Sequence, residues 1–309
     1  MLYIGGMSDT DAMNVFDRRA VRAHRDRAAP GWADYSFLKE EVAERLADRL
    51  LDIRRSFPLA LDLGSHGGEM ARRMVGKAGI ERVVRAELSP ALAALGDGPV
   101  VAADEEFLPF APNSFDLVAS CLSLHWVNDV PGALIQARRA LKPDGMFLGA
   151  MLGGETLFEL RRCLMDAEIE LLGGLSPRVS PMAEVRDAGG LLQRAGFALP
   201  VVDSDTITVS YPSALRLMRD LRGMGEGNAV HQRRRQVPPR ALFALAAQKY
   251  ESLYAEADGT VPATFQVLYM AGWAPDESQQ KPLRRGSAAQ RLADALGTDE
   301  RSTGIKPGA

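Results

Sequence analysis

The sequence predicts one α/β domain, doubly wound about a mostly parallel seven-stranded sheet, with a helical insertion before the last strand. Three observations predict it. Between Pro58 and Leu152 short apolar runs alternate with helical stretches, giving five strand units in about 95 residues. Those runs are apolar at successive positions and bounded by glycine, as strands covered by helices on both faces are. After Gly153 the pattern changes to two helices, an alternating stretch over 197–211, a helical region and a final strand-like run over 263–273.

Taken in order, residues 1–36 read as an N-terminal arm or lid, rich in Arg and Asp and ending in a Pro30-Gly31 break. Phe37, Leu38, Val42, Leu46, Leu50 and Ile53 recur every three or four positions, the spacing of an amphipathic helix that packs on the sheet. LALDL, from Leu59, is strand one, followed by a helix from about Glu69 to Lys77. ERVVRAEL, GPVVAAD and SFDLVASCLSL are strands two to four. Asn128 can cap the next helix, which runs to Leu141 and turns through LKPDGMFLGAML into strand five. Residues 37–152 thus form a nucleoside-binding core, and 153–274 complete the same domain. Within that second half, helices are expected over 155–172 and 182–195. FALPVVDSDTITVSY is a strand pair or one long strand, and 212–257 is a helical insertion carrying Arg233 to Arg235. Residues 275–309, polar with Gly and Pro apart from a short amphipathic SAAQRLADAL, are expected to be mostly disordered.

Composition narrows the function. Of 309 residues, 37 are Lys or Arg and 40 are Asp or Glu, and the net charge of −3 gives no field to attract a polyanion. Nucleic acid is therefore not expected as a substrate. Two cysteines, Cys121 and Cys163, build neither a disulfide framework nor a multi-cysteine zinc site, which suits a reducing compartment and points to the cytoplasm. The first 13 residues lack a basic stretch followed by an apolar run, and no segment reaches about 18 uninterrupted apolar residues. No integral membrane segment is expected, while peripheral association stays open.

The chemistry gathers at the carboxyl ends of the first strands, where an open α/β sheet binds its ligands. Asp62 ends strand one, and Gly64, Ser65, His66, Gly67 and Gly68 form the turn after it. Glycine there lets the backbone approach a ligand with no Cβ in the way. Glu87 lies 25 residues after Asp62, right for one strand-helix-strand unit, and its carboxylate can accept from a ribose diol. Asp104 with Glu105 after strand three can accept from an adenine amino group. A dinucleotide would need G-x-G-x-x-G, which Gly64 to Gly68 does not spell. His66 would crowd a pyrophosphate and Asp62 would repel it. A neutral or singly charged nucleoside bearing a sulfonium fits better, that is, S-adenosyl-L-methionine.

With those residues, the stretch over about 40–152 resembles the class I, Rossmann-like S-adenosylmethionine-dependent methyltransferases. ALDLG with Gly68 is similar to their first motif, Glu87 to the ribose-binding acid and Asp104 to the adenine-proximal acid. His66 departs from the pattern, standing where the family usually has a middle glycine. LSLHWVNDVPGAL, RRALKPDGMF and MLGGETLFELR are similar to two relatives: the family of complex I assembly factor five, and the malonyl-carrier-protein O-methyltransferases of biotin synthesis. VFDRRAVRAHRDRAA, LSPRVSPM and VDSDTITVSYPSALRLMRDLRGMGEGN favour the first and extend the resemblance to about residue 273.

The resemblance implies an enzyme with S-adenosyl-L-methionine as cofactor and a protein substrate, a complex I subunit, modified by methylation or arginine hydroxylation. O-methylation of a malonyl carrier protein and a non-catalytic, cofactor-binding assembly chaperone are the alternatives. Asp62, Gly64, Ser65, His66, Gly68, Glu87, Leu88, Asp104, Glu105 and Cys121 are the expected cofactor contacts, and His125, after strand four, is the candidate general base. No metal site is expected; His24 and Asp26, two apart on a helix, point to different faces. Arg18, Arg19, Arg22, Arg25 and Arg27 either order over the cofactor or form a solvated helix. Trp32 and Tyr35 either pack on the cofactor or anchor the arm.

Overall fold

In the computed structural model residues 14–279, 297 and 298 are described. The chain divides into a unit spanning Met1–Pro275 and a second spanning Asp276–Ala309. The expectations for Met1 to Met13 and for SAAQRLADAL fall outside the described residues.

One seven-stranded sheet organises the first unit. Its strands are β1 (Leu59–Leu63), β2 (Arg82–Glu87), β3 (Val100–Ala102), β4 (Phe115–Cys121), β5 (Leu141–Leu152), β6 (Ala198–Tyr211) and β7 (Val261–Trp273), in the order β3-β2-β1-β4-β5-β7-β6. β1 to β5 pair in parallel, and β7 runs antiparallel between β5 and β6. The strand order reverses between β1 and β4, and the crevice at that reversal is where the polar residues of the turn collect.

Nine helices surround the sheet among the described residues: α1 (Arg18–Ala28), α2 (Phe37–Asp48), α3 (Glu69–Met74), α4 (Pro90–Ala93), α5 (Val130–Ala140), α6 (Phe158–Leu172), α7 (Val185–Arg194), α8 (Ala214–Gly223) and α9 (Arg240–Tyr254). The period-two alternation of the strands sorts the core into two layers. Leu117, Ala119 and Cys121 of β4 join Val42 and Leu46 of α2 and Leu217 of α8 on one face. Val118 of β4 and Phe147 of β5 join Leu134 of α5 and Leu192 of α7 on the other. Fully burying one such leucine stabilises the fold by roughly 1.5–3 kcal/mol.

Several boundaries differ from expectation, each for a local reason. The helix expected from Glu69 to Lys77 stops at Met74, because Gly76 takes a left-handed φ of +83°. Asp129 caps α5, accepting from the Gly132 amide at 2.8 Å. Asn128, expected in that role, instead exchanges hydrogen bonds with the backbone of Phe16 in the arm. The first helix after Gly153 begins at Phe158 rather than Glu155, and the second at Val185 rather than Met182. The stretch at 197–211 is one long edge strand and not a pair. The insertion is two helices, α8 and α9, and Arg233 to Arg235 lie in the non-helical connection between them.

Candidate functional site

Asp62 is fully buried at the end of β1. One carboxylate oxygen accepts from the Ala71 amide of α3 at 3.0 Å, and the other has no partner. Burial, with the nearby Glu69 second, raises its pKa to about 8. Gly64 follows with a φ of +70°, and a Cβ there would stand 2.3 Å from the Ser123 Cβ, so only glycine fits. His66 also takes a left-handed φ, +47°, which is uncommon for a residue bearing a side chain. Its Nε2 lies 3.1 Å from the Leu122 carbonyl, which can only accept, so Nε2 carries the proton and Nδ1 is a bare acceptor. Burial holds this imidazole well below its ordinary pKa, and it is neutral.

Glu87 ends β2 with both oxygens engaged. Oε2 accepts from the His66 amide at 2.8 Å, and Oε1 from the Ser89 amide and from Arg25 Nη1, each at 2.9 Å. After β3 the two acids part. Asp104 faces Arg18, with Nη2 at 2.7 Å. Glu105 turns inward beside Ser123 and both arginines, with Arg25 at 3.3 Å. Burial works to raise the Glu105 pKa, but Arg25, Arg18 and the Ser123 hydroxyl outweigh it and leave it at about 2.

Both arginines come from the arm. Asp17 caps α1, and Val21, Arg25 and Ala28 form its buried stripe at intervals of four and three, which places a guanidinium where an amphipathic helix normally presents a hydrocarbon. Beyond α1, Trp32 lies parallel to the His66 ring, centroids 5.7 Å apart, and donates to Glu69 at 2.7 Å. Tyr35 packs on Gly223 at the end of α8. Leu88 packs with Phe16, Val21 and Trp126 beneath the arm. Cys121 lies in the core with its sulfur 3.9 Å from the Lys39 carbonyl, and burial pushes its thiol pKa up.

A second feature adjoins this edge: a cavity of about 60 Å³ walled by Leu38, Leu122, Leu157, Met224 and Phe265, with Lys39 and Glu226 in its lining. Glu226 accepts from Lys39 Nζ at 2.8 Å, Trp126 Nε1 at 2.7 Å and His125 Nε2 at 3.2 Å. Although burial works to raise its pKa, Lys39 and His125 hold this carboxyl well below the ordinary range. Burial lowers the pKa of His125, whose Nδ1 has no hydrogen-bond partner. The sequence signalled neither Lys39 nor Glu226: one lies on the helix α2 beside apolar neighbours, the other in the turn after α8. Arg25 and Trp32 stood out only as members of an arm with two readings.

The residues present suit S-adenosyl-L-methionine. Four buried side-chain atoms without partners, Asp62 Oδ1, Ser65 Oγ, His66 Nδ1 and Glu69 Oε2, fall within eight residues of the turn, a polar lining suited to an amino-acid moiety. Glu87 and Glu105 supply carboxylates at the adjoining strand ends. Among the described residues no three His, Cys, Asp or Glu gather to hold a metal. His24 turns to the Gly227 carbonyl and Asp26 to Ser89.

Five parallel strands, an antiparallel seventh inserted between β5 and β6, and acids at the ends of β1, β2 and β3 around a glycine turn define an S-adenosyl-L-methionine-dependent enzyme of the class I methyltransferase type. A family model described as a methyltransferase domain matches residues 61–149. The arginine-hydroxylase NDUFAF5, mitochondrial, of Danio rerio is 48% identical over 93% of this chain and 91% of its own length. A malonyl-[acyl-carrier protein] O-methyltransferase of Halorhodospira halophila is 34% identical over 89% and 94% of the two chains. Haemonchus contortus phosphoethanolamine N-methyltransferase 2, solved in complex with S-adenosyl-L-methionine, shares the fold with a TM-score of 0.51 and 18% identity, over 83% of this chain and 60% of that one. The chain belongs to the family of the arginine-hydroxylase NDUFAF5 proteins, with the carrier-protein methyltransferases as more distant relatives.

Proposed function

We propose that this chain modifies an arginine side chain of a respiratory complex I subunit during assembly, using S-adenosyl-L-methionine held at the β1–β2–β4 edge. The observation that carries this reading is the cavity beside that edge. Its hydrocarbon walls suit the methylenes of an arginine, and Glu226, which shares the lining with Lys39 and Arg178 and already accepts from Lys39, Trp126 and His125, keeps one lone-pair site for a guanidinium N–H. Glu87 accepts from the ribose, Glu105 and Asp104 from the adenine side, and Asp62, Ser65 and His66 meet the amino-acid end, with Gly64 and Gly68 clearing the backbone approach. Bound there, the cofactor supplies an electrophilic methyl carbon on a sulfonium. His125, neutral and tied to Glu226, can take a proton at Nδ1 from the acceptor.

The reading is tested by intact-mass comparison of complex I subunits from cells with and without this chain. A gain of about 14 Da on an arginine-containing subunit means a methyl group from the cofactor, whereas about 16 Da means an oxygen, which requires a separate oxidant such as dioxygen with a reductant because S-adenosyl-L-methionine supplies none. No mass difference on any subunit overturns it. No helix among the described residues is long and apolar enough to cross a membrane. On this reading the chain acts in the cytoplasmic compartment, with peripheral association with the membrane during assembly, and fractionation with the soluble proteins checks it.

A second reading, O-methylation of a malonyl carrier protein, is favoured by a groove lined by His24, Arg27, Arg178 and Arg233 to Arg235, positive enough to meet an acidic carrier. Failure of the purified chain to methylate malonyl carrier protein removes it.

A further inference from the structure

Every acidic acceptor of the nucleoside edge is engaged by the arm. Arg25 is 2% exposed and touches Glu87, Glu105 and Ser123, and Arg18 covers Asp104 and Glu105. A carboxylate offers about four lone-pair sites. The Glu87 carboxylate already accepts from Arg25, Ser89 and His66, which leaves one site where a diol presents two hydroxyls. The glycine turn is covered as well. A Cβ on Gly67 would come within 2.6 Å of the Trp32 indole, so the space cleared by the missing side chain is filled by this chain's own tryptophan.

We propose that the arm is an intramolecular ligand of the cofactor site, and that S-adenosyl-L-methionine binds only as Arg25 and Trp32 withdraw from it. The inference rests on the reading that Glu87 receives the ribose. The exchange costs Glu87 a buried ion pair, offset in part by two hydroxyl donors from the diol and by solvation of the Arg25 guanidinium in water, and that cost is what keeps the closed form favoured. An alternative for Arg25 inside the fold is the carboxylate of Glu226, which already acts on it through space. The Ala28-Ala29-Pro30-Gly31 stretch carries the chain from α1 straight into the 3-10 helix Ala29–Asp34 and offers small residues at which the arm can swing. Because only the open form binds, the apparent affinity is lowered by the fraction that is open, and any change that loosens the arm tightens binding.

The test is hydrogen-exchange mass spectrometry on the full chain, with and without saturating S-adenosyl-L-methionine, beside calorimetric titration of the unmodified chain and of Arg25→Gln. Expected are faster exchange across residues 18–34 with the cofactor present, and a dissociation constant at least about tenfold lower for Arg25→Gln. Slower or unchanged exchange in a chain that calorimetry shows to bind overturns the inference and leaves the cofactor site standing. Weaker binding by Arg25→Gln means that the arginine holds the cofactor, and also overturns it. Binding by neither protein sinks the assignment of the ribose to Glu87, and the inference with it. Should Arg25→Gln fail to fold, the exchange measurement on the unmodified chain decides alone.

Discussion

At the end of β1, Asp62 combines complete burial, one orphaned oxygen and a neighbouring carboxylate, and the result is a carboxyl protonated at neutral pH. Its folded pKa of about 8 lies above the ordinary 3.8, so the stability it contributes is fully present below about 4 and is lost as pH rises through 8. Between pH 7 and 9 that loss is about 1 kcal/mol, and His66, neutral throughout this range, adds nothing. Asp62→Asn keeps the acceptor for Ala71 and is expected to remove most of the slope, the buried thiols of Cys121 and Cys163 leaving the remainder. Urea denaturation at the two pH values measures it, and an equal decline in both proteins refutes the assignment. Across the site, Glu226→Gln is expected to lower modification of the acceptor roughly 10- to 100-fold, the loss of one charge-assisted hydrogen bond. Its affinity for S-adenosyl-L-methionine should not change. The same substitution leaves the Lys39 ammonium buried without its carboxylate, costing roughly 3–5 kcal/mol. Adding Lys39→Met should restore the unfolding midpoint without restoring turnover. Restored turnover would place the acceptor elsewhere.

Among the elements, α1 and the turn after it are the least ordinary. The stripe Val21, Arg25, Ala28 is helical in spacing but not hydrophobic in composition, so periodicity alone ranks α1 below α2, whose buried stripe is hydrocarbon apart from Lys39. Burial of Arg25 is decided by carboxylates from β2 and β3, between 62 and 80 residues away. Trp32 anchors the same element through its indole N–H and its ring. Trp32→Phe retains the ring over His66 but leaves Glu69 without its donor at 2.7 Å, costing arm docking about 1–3 kcal/mol. Amide exchange over 18–28 is expected to rise about tenfold or more, and unchanged exchange would show that the hydrogen bond contributes nothing. Other boundaries follow the same logic. Asn128 and Asp129 are equally good caps in sequence, and the arm backbone at Phe16 takes the asparagine. Loss of helix between α8 and α9 follows from Gly225, with its left-handed φ of +76°, and from Pro238 and Pro239, whereas composition averaged over 212–257 reads as helical throughout.

For the molecule as a whole, β7 is the keystone of the sheet, buried between β5 and β6 and antiparallel to both. A chain ending at Thr260 would expose the edge of β5 and strand the long β6. It is expected to show no cooperative unfolding by circular dichroism, and a sharp transition would mean that the first five strands fold alone.

Sequence by itself determined the architecture, because burial on both faces forces continuous apolar runs, and a glycine turn between them admits few backbones. It also determined where the acids of the nucleoside edge lie, since strand ends are local features. Which of those acids face inward, and what they touch, only the tertiary structure decided. Asp104 and Glu105 are adjacent and chemically alike, yet one meets Arg18 in a half-buried pair and the other is fully buried against Ser123 and Arg25. Lys39, His125 and Glu226 converge from α2, the end of β4 and the turn after α8, and Arg25 reaches Glu87 across 62 residues of chain. Ion pairs between distant segments have no period and no local signature, because the energy that selects them is set by separation and burial in space rather than by spacing along the chain.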